Sequence, residues 1–87
     1  MDKKQLEKEI LEKTQELIRA RANYDSAQGE LLDELKADCE RSGGSMAQEA
    51  RREALQEELR NRRDSAEATL KRYEKDFSEL IKKYQDL

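Results

Sequence analysis

Apolar or small residues recur at Leu6, Ile10, Leu17, Ala20, Tyr24, Ala27, Leu31 and Leu35, separated mostly by three and four positions, among polar neighbours. That period is the inward stripe of an amphipathic α-helix, interrupted by a polar gap at Lys13 and Thr14. A second stripe runs through Leu55, Leu59, Ala66, Leu70, Tyr73, Phe77, Leu80, Tyr84 and Leu87, with unbroken heptads from Leu70 onward. Upstream, counting Arg62 as inward gives steps of four, three, four and four from Leu55 to Leu70. This is a stutter that locally unwinds a supercoil. Between the stripes stands Ser42-Gly43-Gly44-Ser45. The pattern predicts an all-α chain: one hairpin over 1–87, with a helix over 2–41, a turn at 42–45 and a helix over 45–86.

A reversal centred on the glycines sets positions whose numbers add to 87 opposite one another. Leu6 then meets Ile81, Ile10 meets Phe77, Leu17 meets Leu70, and Leu31 meets Gln56, one position from Leu55. Apolar residues fall against apolar residues, so the halves are expected to zip as an antiparallel two-helix coiled coil. The same register sets Arg62 and Arg63 opposite Asp25 and Tyr24, which predicts an ion pair and an arginine stacked on a ring at the waist of the rod.

Local chemistry supports the boundaries. Asp2 is placed to cap the first helix through the amide of Gln5, with Met1 stapled against Leu6. Gly43 suits a left-handed cap, and Ser45 followed by Gln48 has the spacing of a capping box. Gly29 interrupts the first helix and reads as a soft spot. Ser42-Gly43-Gly44-Ser45 before Met46 reads either as a native turn or as an engineered join between segments distant in a parent sequence.

Composition narrows what the rod can do. In 87 residues, 34% are hydrophobic and 45% charged, which leaves enough apolar surface for a seam but not for a core wrapped around a cleft. Zero Pro and three Gly favour long helices over disorder. The 21 acidic and 18 basic residues leave a net charge of −3, so no global field draws the chain to nucleic acid or an anionic membrane. No histidine is present, which removes the commonest general base and metal ligand. The single cysteine, Cys39, sits near a helix C-terminus, with no histidine or metal site to activate it, and reads as a spectator. Carboxylate pairs such as Glu53 with Glu57 read as surface acids, and the Gly-Gly turn lacks the lysine of a phosphate loop. No catalytic residue, metal ligand, cofactor or small-molecule substrate is therefore expected. One cysteine and the absence of an apolar leader point to a reducing compartment, the cytoplasm or the nucleus.

Two features remain for partners. Leu11, Ile18 and Leu32 lie beside the first stripe at spacings of seven and fourteen. They either pack at the margin of the hairpin or form a second face, for a partner helix or for a four-helix homodimer. Arg60, Arg62, Arg63, Lys71 and Arg72 form a basic stretch that Glu57, Glu58, Asp64 and Glu67 largely cancel. Glu9–Lys13, Glu58–Arg62, Glu67–Lys71 and Glu79–Lys83 are spaced as solvated helix pairs. The acidic residues Glu30, Asp33, Glu34, Asp38 and Glu40 lie near the turn, facing Arg51 and Arg52.

In outline the pattern is similar to the Rho-GTPase-binding hairpins of the HR1 class, to SMC-type arms and to stalk segments of motors. That similarity, carried by shape alone, implies either a structural coiled-coil segment of a larger cytoskeletal, chromosome-organising or trafficking protein, or a regulatory module that captures a folded partner through Ile18, Arg62 and Arg63. A third reading is a basic hairpin contacting an acidic partner or membrane. The expected partner in the leading reading is protein, by self-association or through another helix; nucleic acid and membrane are disfavoured.

Overall fold

The structure is a computed structural model that describes residues 2–40 and 44–87. It contains two helices, α1 (Lys3–Glu40) and α2 (Met46–Gln85), folded back on each other into a rod of 63 × 15 × 14 Å. The reversal is antiparallel: Tyr84 Oη donates to Glu7 Oε1 at 2.9 Å at one end, and Arg52 Nη1 lies 3.4 Å from Asp38 Oδ1 at the other. Among the described residues, no helix is long and apolar enough to cross a membrane.

The start of α2 follows from its first residues. Ser45, in an extended conformation, accepts from the Gln48 amide through its hydroxyl, while Gln48 Oε1 accepts from the Ser45 amide, each at 3.2 Å. The predicted capping box is therefore formed. Removing the hydroxyl orphans the Gln48 amide, so Ser45→Ala is expected to cost about 1 kcal/mol by chemical denaturation. Gly44 precedes it at φ +141°, and a Cβ there would stand 2.9 Å from Arg52 Nη2, so the turn needs glycine at this position. At the far end Lys82 and Lys83 occupy the last turn of α2, where cations suit the helix dipole. Asp2 accepts the Leu6 amide through its backbone carbonyl at 3.0 Å. The staple through Met1, the cap at Gly43, and Arg41 and Ser42 lie outside the described residues.

Packing departs from the expected register by three residues. Among the buried and half-buried positions of α1, Leu6, Ile10, Lys13, Leu17, Ala20, Tyr24, Ala27, Leu31, Glu34 and Asp38 form a row in steps of four and three, flanked by the half-buried Glu9, Thr14, Gln28, Gly29, Leu35 and Ala37. In α2 the row in the same rhythm is Arg52, Gln56, Leu59, Arg63, Ala66, Leu70, Tyr73, Phe77, Leu80 and Tyr84, flanked by the half-buried Glu67, Asp76 and Ile81. Asp38 and Arg52 are in contact, and their numbers add to 90 rather than 87. Carried along both rows, that register sets Leu6 against Tyr84, Ile10 against Leu80, Leu17 against Tyr73, Ala20 against Leu70, Tyr24 against Ala66 and Leu31 against Leu59. The expected pairings of Leu6 with Ile81, Ile10 with Phe77, Leu17 with Leu70 and Leu31 with Gln56 are corrected accordingly. The physical reason is volume. The observed register sets large against small at Ala20–Leu70 and Tyr24–Ala66 along the central seam.

The stutter is also absent. Leu55 is 41% exposed and lies outside the seam, and Arg62 points outward, while Arg52, Gln56 and Arg63 take the inward positions. Continuous heptads with polar members replace an irregular heptad with apolar ones. The seam keeps its rhythm because a lysine or arginine can lay its methylenes along the partner helix and lift its charge to water.

Apart from its chain neighbours and its own helix backbone, Gly29 has no atom within 4 Å of where a Cβ would stand. Alanine there restricts the unfolded chain and fits the folded one. Gly29→Ala is expected to raise stability by about 1 kcal/mol, measured by urea denaturation at low micromolar concentration.

Candidate functional site

The described surface offers three regions: a polar groove at the waist, an ionic cluster toward the open end, and the outer face of α1.

At the waist, Ala20, Ala27 and Ala66 make the seam thin and leave a groove of about 470 Å³. Arg62 crosses its mouth, with Nη1 2.7 Å from Glu30 Oε2 and Nη2 3.6 Å from Glu58 Oε1. The expected Arg62–Asp25 bridge is thus corrected to Arg62–Glu30, a consequence of the three-residue shift. Arg63 does not stack on Tyr24. Its guanidinium turns to the adjacent Asp64, with Nη2 2.9 Å and Nε 3.1 Å from Oδ1. The cation–ring contacts are made by lysines instead, Lys3 over Tyr84 at 5.4 Å and Lys13 over Tyr73 at 4.9 Å from the ring centroids.

Lys13 organises the second region. Its ammonium is 3.0 Å from Glu16 and 3.8 Å from Asp76, in a groove shared with Glu9, Glu12 and Glu79. The hydrogen bond to Glu16 raises its pKa above the ordinary 10.5; partial desolvation lowers it, and the charges of Glu16 and Asp76 raise it again. A raised lysine stabilises the fold fully below the ordinary value and ceases to do so as pH climbs through the raised one. Lys13 fills the polar gap of the first stripe and, with Lys83, supplies the cations of this acidic groove.

The basic stretch is largely neutralised: Arg62 by Glu30 and Glu58, Arg63 by Asp64, and Lys71 by Glu67 at 3.0 Å. The Lys71 pKa is raised, chiefly by that hydrogen bond. Arg60 and Arg72 are exposed. Near the turn, Asp38 meets Arg52 across the hairpin. Among the described residues no group of His, Cys, Asp and Glu is placed to hold a metal ion, and Cys39 is exposed.

The third region is apolar. Leu11, Ile18 and Leu32 are 60%, 64% and 54% exposed, so they do not pack at the margin of the hairpin. They form an outward row on α1. Ile18 and Arg62 do not share a patch, because the observed register puts Arg62 level with position 28, on the order of 15 Å along the axis from Ile18. Of the seam residues expected from sequence, Leu6, Leu31, Leu59 and Leu70 are buried, and Ile10, Leu17, Tyr24, Leu35, Ala66, Tyr73, Phe77, Leu80 and Tyr84 are half-buried. Sequence reasoning missed the inward roles of Lys13, Glu34, Asp38, Arg52, Gln56 and Arg63. Their signal was the uninterrupted four-three rhythm, available once polar residues are admitted to it.

The chain matches no known protein-family model, no curated protein and no solved structure.

Proposed function

We propose that this chain is a non-catalytic coiled-coil segment of a larger cytoskeletal, chromosome-organising or trafficking protein, acting through helix-mediated protein contacts. The observation that carries the reading is the outward row Leu11, Ile18 and Leu32, three aliphatic side chains more than half exposed on a chain whose seam is already satisfied. Exposed aliphatic residues in heptad spacing are what a helical partner covers. The rod shape supports a spacer or scaffold, since it separates its two ends by 63 Å. The ion-paired arginines of α2 and the absence of histidine fit an inert surface better than a reactive one.

The test is a comparison of two surface variants in extract of the native cell. A hairpin carrying Leu11→Glu, Ile18→Glu and Leu32→Glu is expected to lose its bound proteins, while reversal of Arg60, Arg62 and Arg63 to Glu leaves them bound. Equal retention by the first variant contradicts the reading. Loss only with the arginine reversal, together with steep weakening by salt, favours a basic surface for acidic partners instead.

A further inference from the structure

Two leucines flank the seam at the turn end of the rod without entering it. Leu35 is half-buried and Leu55 is 41% exposed. In the observed register, where facing numbers add to 90, the two stand at the same level but on opposite flanks. Leu55 lies one heptad before Arg62, on the flank of the Arg62–Glu30 pair, and Leu35 lies two heptads after Arg21, on the flank of the Arg21–Glu74 pair. Between them Glu34 and Gln56 take the inward positions. This polar layer is stacked between the buried Leu31 and Leu59 on one side and Asp38 with Arg52, 3.4 Å apart, on the other. Other pairs related in the same way set Thr14 with Asp76, Arg21 with Thr69 and Gln28 with Arg62, all polar. Leu35 with Leu55 is apolar on both sides.

We infer that the turn end of the rod has a second packing, in which both helices roll in the same sense and exchange the Glu34–Gln56 layer for a Leu35–Leu55 layer. From Leu31 a step of four reaches Leu35, and a step of three continues to Asp38. From Leu59 the same steps run back through Leu55 to Arg52. Leu31–Leu59 and Asp38–Arg52 therefore keep their layers in both packings, and only the layer between them changes. A roll of roughly 50° in each helix, half the angle between successive residues, carries the leucines inward and turns Glu34 and Gln56 out to water on opposite flanks. The extra apolar burial favours the rolled packing, while the stutter it introduces unwinds the supercoil and opposes it. The roll also reaches the outer face of α1. Leu32, 54% exposed in the observed packing, moves onto the flank that Leu35 vacates. On the reading of Leu11, Ile18 and Leu32 as a docking row, the roll withdraws the turn-end member of that row from a partner.

Disulfide trapping in a Cys39→Ser background reads the roll. In the observed packing, Cα atoms at one level on opposite flanks are about 10 Å apart, too far for a disulfide. Leu35→Cys with Leu55→Cys is nevertheless expected to close under mild oxidation, at least tenfold faster than Arg21→Cys with Thr69→Cys, which has the same geometry at the waist. Gln56→Glu sets a second carboxylate against Glu34 and is expected to speed the first closure at least threefold. Glu34→Leu with Gln56→Leu makes the observed layer apolar and is expected to slow it at least tenfold. Equal closure of the two cysteine pairs means ordinary flexing of the whole rod and overturns the roll, as does a closure indifferent to both layer variants. The comparison of pairs keeps the native Glu34 and Gln56, so it decides the matter even where a layer variant weakens the fold. With Leu35 and Leu55 retained, alkylation of Leu32→Cys is expected to slow at least threefold when Gln56→Glu is added. An unchanged rate contradicts the coupling to the outer row. None of these readouts requires a partner, so their failure is separate from failure of the extract comparison.

Discussion

Leu31→Ala is expected to lower the unfolding free energy by about 2–5 kcal/mol, the range for truncating a fully buried leucine whose surroundings cannot collapse into the void. Leu31 is 2% exposed and shares its layer with Leu59, which is 8% exposed. These two side chains form the apolar layer between the thin, alanine-lined waist and the polar layers at the turn, where Glu34, Gln56, Asp38 and Arg52 take the inward positions. A two-helix rod buries little and its margin is correspondingly narrow, so this one truncation removes a large share of the stability. Thermal and urea denaturation by circular dichroism measure it, and a change within about 0.5 kcal/mol would place Leu31 outside the seam.

The second large effect has the opposite sign. Arg63 occupies an inward position beside Ala27, yet its guanidinium turns aside to Asp64, an exposed neighbour on its own helix. The ion pair is worth little at that exposure, whereas the neighbouring seam positions Ala27, Leu59 and Ala66 are apolar. Arg63→Leu is therefore expected to stabilise the hairpin by about 1–2 kcal/mol. It should also weaken the discrimination between registers, since a continuous apolar row tolerates a slip of one heptad better than a row broken by arginine. A rise in urea midpoint together with broadened amide resonances in α1 would show both consequences. Destabilisation by Arg63→Leu would mean that the Arg63–Asp64 pair contributes more than its exposure implies.

These two residues show how much of the architecture was legible. The helical periods, the reversal and the capping box at Ser45 and Gln48 were written in the sequence because each depends on neighbours a few positions away. Register was not, because it depends on volumes across the interface. Matching apolar to apolar favoured Leu17 against Leu70, whereas packing sets Leu70 against Ala20 and Tyr24 against Ala66. Leu55 illustrates the second limit. Its hydrophobicity suggested the seam and hid the role of Gln56, although the heptad rhythm through Arg52, Gln56 and Leu59 names the inward residue correctly. The same bias turned a regular heptad into a stutter and paired Arg62 with Asp25 instead of Glu30. The outer face of α1 was legible as a row. Its exposure needed the observed register, which leaves Leu11, Ile18 and Leu32 with nothing on α2 to cover them.

The register is the claim on which the seam, the displaced ion pairs and the uncovered face all rest, and a pair of cysteines tests it directly. In a Cys39→Ser background, Ala27→Cys with Arg63→Cys is expected to close an intramolecular disulfide nearly completely under mild oxidation, because the two positions share a layer. Preferential closure of Tyr24→Cys with Arg63→Cys, three residues out of step, would contradict it.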